Sequence, residues 1–494
     1  MISTRREDLL ARLAQDHDWD MVVVGGGATG LGVALLAAQR GLSVALLESH
    51  DFASGTSSRS TKLLHGGVRY LAQGNLSLVR EALHERAAVL AQAPALAHPL
   101  RFVLPAYRWW EQAFYGIGLN AYAVLAGRHS LGATRWLSAA QTLQRLPGAR
   151  AAGLCGGVEY WDGQFDDARL AVALACTAAA RGALLLNHCE VIALRHETAG
   201  AATRVSGLTC RDRETGRHFG LRTRCVVNAT GVWVDGLRAM DPTPNLPGGD
   251  ALVQASQGVH LVVDREFLGG DSALLIPRTR DGRVLFAVPW LGKVLLGTTD
   301  TPRDDAPREP LPLREEVDFI LGEASRYLAR PVTREDVRSV WAGLRPLVRP
   351  AGARGGAAPD TGAISREHTV LVSPRGLVSV TGGKWTTFEA MARDVLQECT
   401  RHGLIDATPP GPSAPLTVNA TCEDPVQQAR FSAEHEFART VEDVLARRSR
   451  LLFLDARVAL AAAPAVARAL QAATGHDPGL AGFEALARQY ASLP

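Results

Sequence analysis

Residues 20–48 leave a chain like this few options. Met21-Val-Val-Val24 is a β-branched run, and Gly25, Gly27 and Gly30 follow it with G-x-G-x-x-G spacing. In that spacing Gly25 permits a tight turn, Gly27 lets backbone approach a pyrophosphate, and Gly30 allows a helix to pack close to the strand. Residues 31–40 have helical spacing, so a pyrophosphate would meet the amides and the positive dipole end at the helix start. Gly41 stops the helix, and residues 42–47 predict a second strand. Glu48 ends the unit, where a carboxylate accepts hydrogen bonds from an adenosine ribose. Strand, glycine turn, helix, strand and acid in this register predict a bound adenine dinucleotide.

Residues 22–39 carry no charge and are long enough to resemble a membrane span. Five glycines among them and the fit to a strand–helix unit favour a buried parallel strand instead. A length of 494 residues predicts two or three domains with large cores. The net charge of +3 asks for no polyanionic partner, so nucleic acid is not expected. Basic residues are almost all Arg, with Lys only at positions 62, 293 and 384. The seven cysteines show no C-x-x-C, which predicts reduced, mostly buried thiols in a cytoplasmic protein and no metal centre. Residues 1–20 are charged and helix-prone, unlike a secretory signal or a transit peptide.

Further helices are predicted at 76–91, 168–181 and 313–327, and one ends near Cys399. Strands are predicted at 207–211, 217–223, 225–228, 258–264, 284–299 and 371–380. A Pro-rich stretch at 408–415 precedes an Ala/Arg-rich helical remainder without motifs. The expected fold is α/β, with a dinucleotide-binding domain interleaved with an α+β, mixed-sheet substrate region across 21–400. A helical leader (1–20), a linker (401–417) and a helical C-terminal domain (418–494) complete it.

Three later segments bear on chemistry. Val226-Val-Asn-Ala-Thr-Gly231 is an apolar strand ending in a turn that brings backbone close to a cofactor, although many strand ends look this way. Thr381-Gly-Gly-Lys384 sits between strand and helix, so it offers amides and a cation where a reduced flavin gathers negative charge. Read alone, it fits a surface turn equally well. Arg69, Arg345 and Arg366 could each grip an anionic substrate through a bidentate guanidinium, but most arginines in so Arg-rich a chain are solvated. His260, on a β-branched strand, fits a packed core residue as readily as a base, and His65 has the same ambiguity.

The run Thr56-Ser-Ser-Arg-Ser-Thr-Lys-Leu-Leu-His-Gly-Gly-Val-Arg-Tyr-Leu71 closely resembles the signature of FAD-dependent, quinone-linked glycerol-3-phosphate dehydrogenases. Phe102-Val-Leu-Pro105, Asp166-Asp-Ala-Arg-Leu170, Asn228-Ala-Thr-Gly231, Gly258-Val-His260, Gly297-Thr-Thr-Asp300, Gly343-Leu-Arg-Pro-Leu347 and Gly382-Gly-Lys-Trp-Thr-Thr387 match in the same order, from about residue 20 to 400. The resemblance implies a glutathione-reductase-like Rossmann domain holding FAD. It implies sn-glycerol 3-phosphate as substrate, dihydroxyacetone phosphate as product and quinone as acceptor. By the same resemblance Arg69, Tyr70, His260, Arg345, Arg366 and Lys384 line the substrate site. His260, Arg345 and Lys384 would carry the chemistry, with His65 the alternative base. Gly25, Gly27, Gly30, Glu48, Thr56, Ser57, Ser58, Lys62, Leu64, His65, Gly66, Thr230, Gly231, Gly382, Gly383 and Lys384 would hold the FAD.

Two departures stand out. Gln257 precedes Gly258 where relatives often carry Lys, which predicts a charge lost near the site and a weaker hold on substrate. Phe388 stands where Tyr is common. A quinone acceptor implies docking on a membrane surface at the inner face of the cytoplasmic membrane, and residues 107–122 have the aromatic content and flanking Arg that interfacial segments use. The same aromatics would also serve a substrate-domain core. A homo-oligomer is expected. The rival readings are an oxidase of the same substrate that uses oxygen, an amine or amino-acid oxidase of the same fold, and a flavoprotein without catalysis.

Overall fold

The computed structural model describes residues 4–67, 76–200, 202–241, 251–349, 367–407, 409 and 415–494. Its first sheet is parallel at the centre. Strands Leu377–Gly382, His218–Asn228, Asp18–Val24, Val44–Leu47 and Leu184–Leu186 lie side by side in that order. Met21, Val22 and Val23 are fully buried, as a parallel strand covered on both faces demands. The helix Ala28–Gln39 begins directly after the glycines and packs against Asp167–Ala180 and Phe388–Arg401. Gly32 permits the second contact, since a Cβ there would lie 2.9 Å from the Phe388 ring. Gly41, at φ +81°, turns the chain out of that helix.

The second sheet has ten strands and is mixed. Ala273–Ile276 and Ala97–Ala106 pair in parallel, whereas the pairs around Val253–Asp264 are antiparallel. Along Val253–Asp264 the side chains alternate between two cores. Val259, Leu261 and Val263 join the core that contains Val317 and Ile320 of helix Arg314–Ser325. Val262 joins the core shared with Trp341 and the C-terminal helices Pro425–His435, Ala456–Thr474 and Leu480–Tyr490. His260 has the parity of Val262, and its ring lies on Trp341.

The predicted strand at 371–380 is in fact a hairpin. His368–Val372 and Leu377–Gly382 pair antiparallel around a turn that Gly376 makes possible at φ +88°. The predicted strand at 284–299 is likewise two strands, Leu285–Trp290 and Lys293–Gly297, reversing at Leu291-Gly292. In both segments short turns inside apolar runs hide the reversal from a reading by hydropathy. All seven cysteines are free thiols, five of them buried. Among the described residues no helix is long and apolar enough to cross a membrane.

Candidate functional site

A cavity of about 1380 Å³ is walled by residues of both sheets. That is larger than the roughly 300–1,000 Å³ of a drug-sized ligand site, and it suits a dinucleotide together with a small substrate. Of the first motif, Val24, Gly25, Gly27 and Glu48 line it. Gly25 has φ +107°, and a Cβ there would lie 2.5 Å from the Ala229 carbonyl oxygen. Gly30 is behind the wall, where a Cβ would come within 1.9 Å of the Gly25 oxygen; it serves the packing of helix on loop. Glu48 is aimed by two backbone amides: Gly26 N–H donates to Oε2 at 2.7 Å and His50 N–H to Oε1 at 2.8 Å.

The second motif forms a short 3₁₀ turn, Thr56–Ser58, that bridges the two sheets. Thr56 Oγ1 donates to the Leu344 carbonyl at 2.6 Å, and Ser57 Oγ accepts from the Ala28 amide at 2.9 Å. Thr56, Ser57, His65, Thr230, Gly231, Gly382, Gly383 and Lys384 all line the cavity. Ser58, Lys62, Leu64 and Gly66, expected to hold the cofactor, do not. Lys62 is wholly buried, with its ammonium 2.7 Å from Asp167 Oδ2. Gly66 donates its amide to the Tyr122 hydroxyl at 2.8 Å. Arg69, Tyr70 and Arg366 lie outside the described residues.

His260, Arg345 and Lys384 line the same cavity from three separate stretches of chain. His260 pairs across the sheet with Gly297 on one side and Trp341 on the other. Its ring stacks on Trp341 with centroids 4.3 Å apart, and a Cβ at Gly297 would lie 2.4 Å from its Cδ2. The imidazole thus occupies a slot that only glycine on one side leaves open. Nε2 is 3.0 Å from Thr61 Oγ1, while Nδ1 has no protein partner among the described residues. Burial pushes its pKa well below the ordinary range, and the charges of Lys62 and Arg345 push the same way.

Arg345 Nη2 donates to Thr298 Oγ1 and to the Thr299 carbonyl, both at 3.0 Å, and Nη1 lies 3.5 Å from Asp300 Oδ1. Gly258 makes room for it, since a Cβ there would be 2.3 Å from Nη2. Lys384 follows Gly382 and Gly383, which hold φ +81° and +72° and turn the chain into the helical start at Trp385.

Gln257 corrects an expectation. Its side chain faces away from the cavity, donating to Glu316 Oε2 at 2.7 Å and to the Leu311 carbonyl at 2.9 Å, so it subtracts no charge from the site. Phe388 is likewise buried, against Gly32 and Trp385. Sequence reasoning missed Thr61 and Trp341. Strand alternation held the signal for Trp341, because residues 341, 343 and 345 share a face. It also missed that helix Trp109–Ala126 lends Phe114, Tyr115 and Ile117 to the wall.

Residues 20–389 match the family described as FAD dependent oxidoreductase, and 417–479 match the C-terminal domain of alpha-glycerophosphate oxidase. The chain belongs to the FAD-dependent oxidoreductase family. This oxidoreductase is 44% identical over 416 residues to the mitochondrial glycerol-3-phosphate dehydrogenase of Macaca fascicularis, covering 82% of this chain and 56% of that one. It is 41% identical over 431 residues to the mitochondrial glycerol-3-phosphate dehydrogenase of Saccharomyces cerevisiae, covering 81% and 66%. The chain thus spans little more than half to two thirds of these relatives. Among solved structures, a glycerol-3-phosphate dehydrogenase from Bacillus halodurans complexed with FAD superimposes with TM-score 0.79 at 27% identity, covering 100% of this chain and 99% of that one. FAD is the cofactor of this oxidoreductase, and the residues present fit it. Gly25, Gly231, Gly382 and Gly383 bring bare backbone to the cavity in positive φ, and Glu48 and Lys384 both line it.

Proposed function

We propose that this chain oxidises sn-glycerol 3-phosphate to dihydroxyacetone phosphate and hands the electrons to a quinone at a membrane surface. The observation that carries the reading is that a buried imidazole, a guanidinium and a lysine all line one cavity large enough for a dinucleotide and a small substrate. FAD, when bound, supplies the acceptor for the hydride that leaves C2. Arg345, with Arg69, Tyr70 and Arg366, grips the phosphate and fixes where C2 sits, and such positioning contributes much of the rate. His260 accepts the proton from the C2 hydroxyl, being held in its neutral form over the working pH range. Lys384, at a helical start, places positive charge where negative charge grows.

The membrane part of the reading draws support from helix Trp109–Ala126. Trp109, Phe114, Ile117 and Val124 are 85, 65, 69 and 74% exposed, so these side chains are not core. Phe114 and Ile117 also line the cavity, which gives an apolar acceptor a route from the surface to the site. A homo-oligomer at that surface belongs to the same reading. The match of residues 417–479 to an oxidase domain favours oxygen as the second candidate acceptor. Anaerobic mixing with sn-glycerol 3-phosphate tests the proposal. Flavin bleaching reversed quickly by quinone and slowly by air supports it, fast recovery in air selects the oxidase, and no bleaching rejects the substrate.

A further inference from the structure

Lys62 is one of three lysines in the chain, yet it lies inside the protein and off the cavity wall. Its ammonium donates to Asp167 Oδ2 and to the Ser58 carbonyl, each at 2.7 Å. Arg450, from the C-terminal region, reaches the other oxygen of Asp167 at 2.9 Å and lies 3.3 Å from Asp166 Oδ1. Aromatic rings make up much of the remaining shell. The ammonium is 4.8 Å from the Trp341 centroid, 5.2 Å from Trp290 and 5.4 Å from Phe453. Trp341 is also the ring on which His260 stacks, and Thr61, the residue before Lys62, touches His260 Nε2. A buried cation and the imidazole share one indole and one turn of chain.

We infer that Lys62 is a positioning residue for His260: its charge, laid against Trp341, keeps the imidazole neutral, while Thr61 beside it sets the ring's orientation. The inference rests on the reading of His260 as proton acceptor. A second positive charge this close, in a buried region of low effective dielectric, is disfavoured. The groups that face His260 are Thr61 from the motif turn, Trp341 and Arg345 from Ser339–Val348, and Gly297 from the neighbouring strand. Nearby carboxylates are already engaged: Asp166 and Asp167 with Arg450 and Lys62, and Asp300 with Arg345.

Timing in pH fits the task. Burial, against the pull of Asp167, brings Lys62 down to about 7. It is therefore charged across the acidic range in which an ordinary imidazole, near 6.5, would take a proton. The arrangement also links the C-terminal region to the chemistry, because Arg450 shares the carboxylate that holds Lys62 in place.

The test is an NMR titration of ¹³C-labelled histidines in the FAD-loaded protein between about pH 5 and 9, with His260 assigned by the His260→Asn variant. In the native protein the His260 signal is expected to stay neutral throughout. In Lys62→Met the His260 signal is expected to begin to protonate within the acid end of that range. Lys62→Arg, which restores the charge, is expected to return the native titration. Lys62→Met leaves a carboxylate short of a partner, so the double variant Lys62→Met/Asp167→Asn guards against misfolding and is expected to show a smaller change in the same direction, because a negative charge goes with the positive one. The acid limb of kcat/KM should move with the NMR value. A His260 titration unmoved in both methionine variants overturns the inference. The titration needs no substrate, so failure of flavin reduction would reject the function while leaving this result readable.

Discussion

Arg345 at the cavity wall and Arg448 in the interior are both guanidiniums beside an aspartate, but their surroundings differ. Arg345 is 3.5 Å from Asp300 and makes its shorter bonds to Thr298 and to the Thr299 carbonyl, keeping a partly open flank toward the cavity. Arg448 is fully buried and forks onto both oxygens of Asp51, which also takes Arg447 Nε at 2.5 Å and the Asn187 amide at 3.0 Å. Beside it, Glu436, whose carbonyl accepts from Arg448, takes Arg169 in a fork of two bonds of 2.8 Å. The interior cluster spends its hydrogen bonds on itself and fixes how the C-terminal region sits under the glycine loop. The wall cluster faces the cavity in which the proposed function places the substrate's phosphate. One residue type thus fixes packing in the interior and, in the proposed function, serves recognition at the wall.

The comparison breaks most visibly at Asp51. Asp51→Ala strands two buried guanidiniums and is expected to remove about 3–5 kcal/mol of stability, a large share of what a protein has. Denaturant unfolding measures it, and the protein that remains folded should keep native kcat. His260→Asn should do the opposite. A fall in kcat of about 10²–10⁴-fold is expected, with a small shift in the unfolding midpoint; a variant that instead loses mainly stability would make His260 a core residue.

A smaller effect is expected in acid. Burial works to raise the pKa of Glu436, but the hydrogen bonds and charge of Arg169, with Arg448 behind them, outweigh it and hold the carboxyl low. A carboxyl depressed in the fold adds stability above its unfolded value, near 4.3, and that stability is lost as pH falls through the folded value. Glu436→Gln should therefore flatten the acid limb of stability below about pH 4.3, while being less stable at pH 7. The least change in stability, within about ±0.5 kcal/mol, is expected for Trp109→Ser with Phe114→Ser, because both side chains are largely exposed. Co-sedimentation with vesicles is the property that should fall; unchanged partition would count against a membrane-facing helix.

What was legible in the sequence was local. The glycine spacing and Glu48 lie within one strand–helix–strand unit, and the wall residues stand in short motifs whose spacing survives in the fold. The side a residue faces was harder to read. Gln257 and Gly258 are neighbours, yet alternation sends one to Glu316 and lets the other cradle Arg345. Lys62 belongs to a cofactor-like motif but turns inward to Asp167, a partner more than a hundred residues away. Arg447 and Arg448 carried no recognisable pattern, because their shared partner Asp51 lies some four hundred residues earlier and long-range pairing leaves no local periodicity.

That distance has a consequence for how the chain is made. Asp51 and the glycine loop leave the ribosome long before Arg447 and Arg448 exist to neutralise the carboxylate. The floor of the cofactor cleft is therefore clasped by a segment made some four hundred residues later, and a nascent chain stalled before it would hold the glycine loop without that clasp.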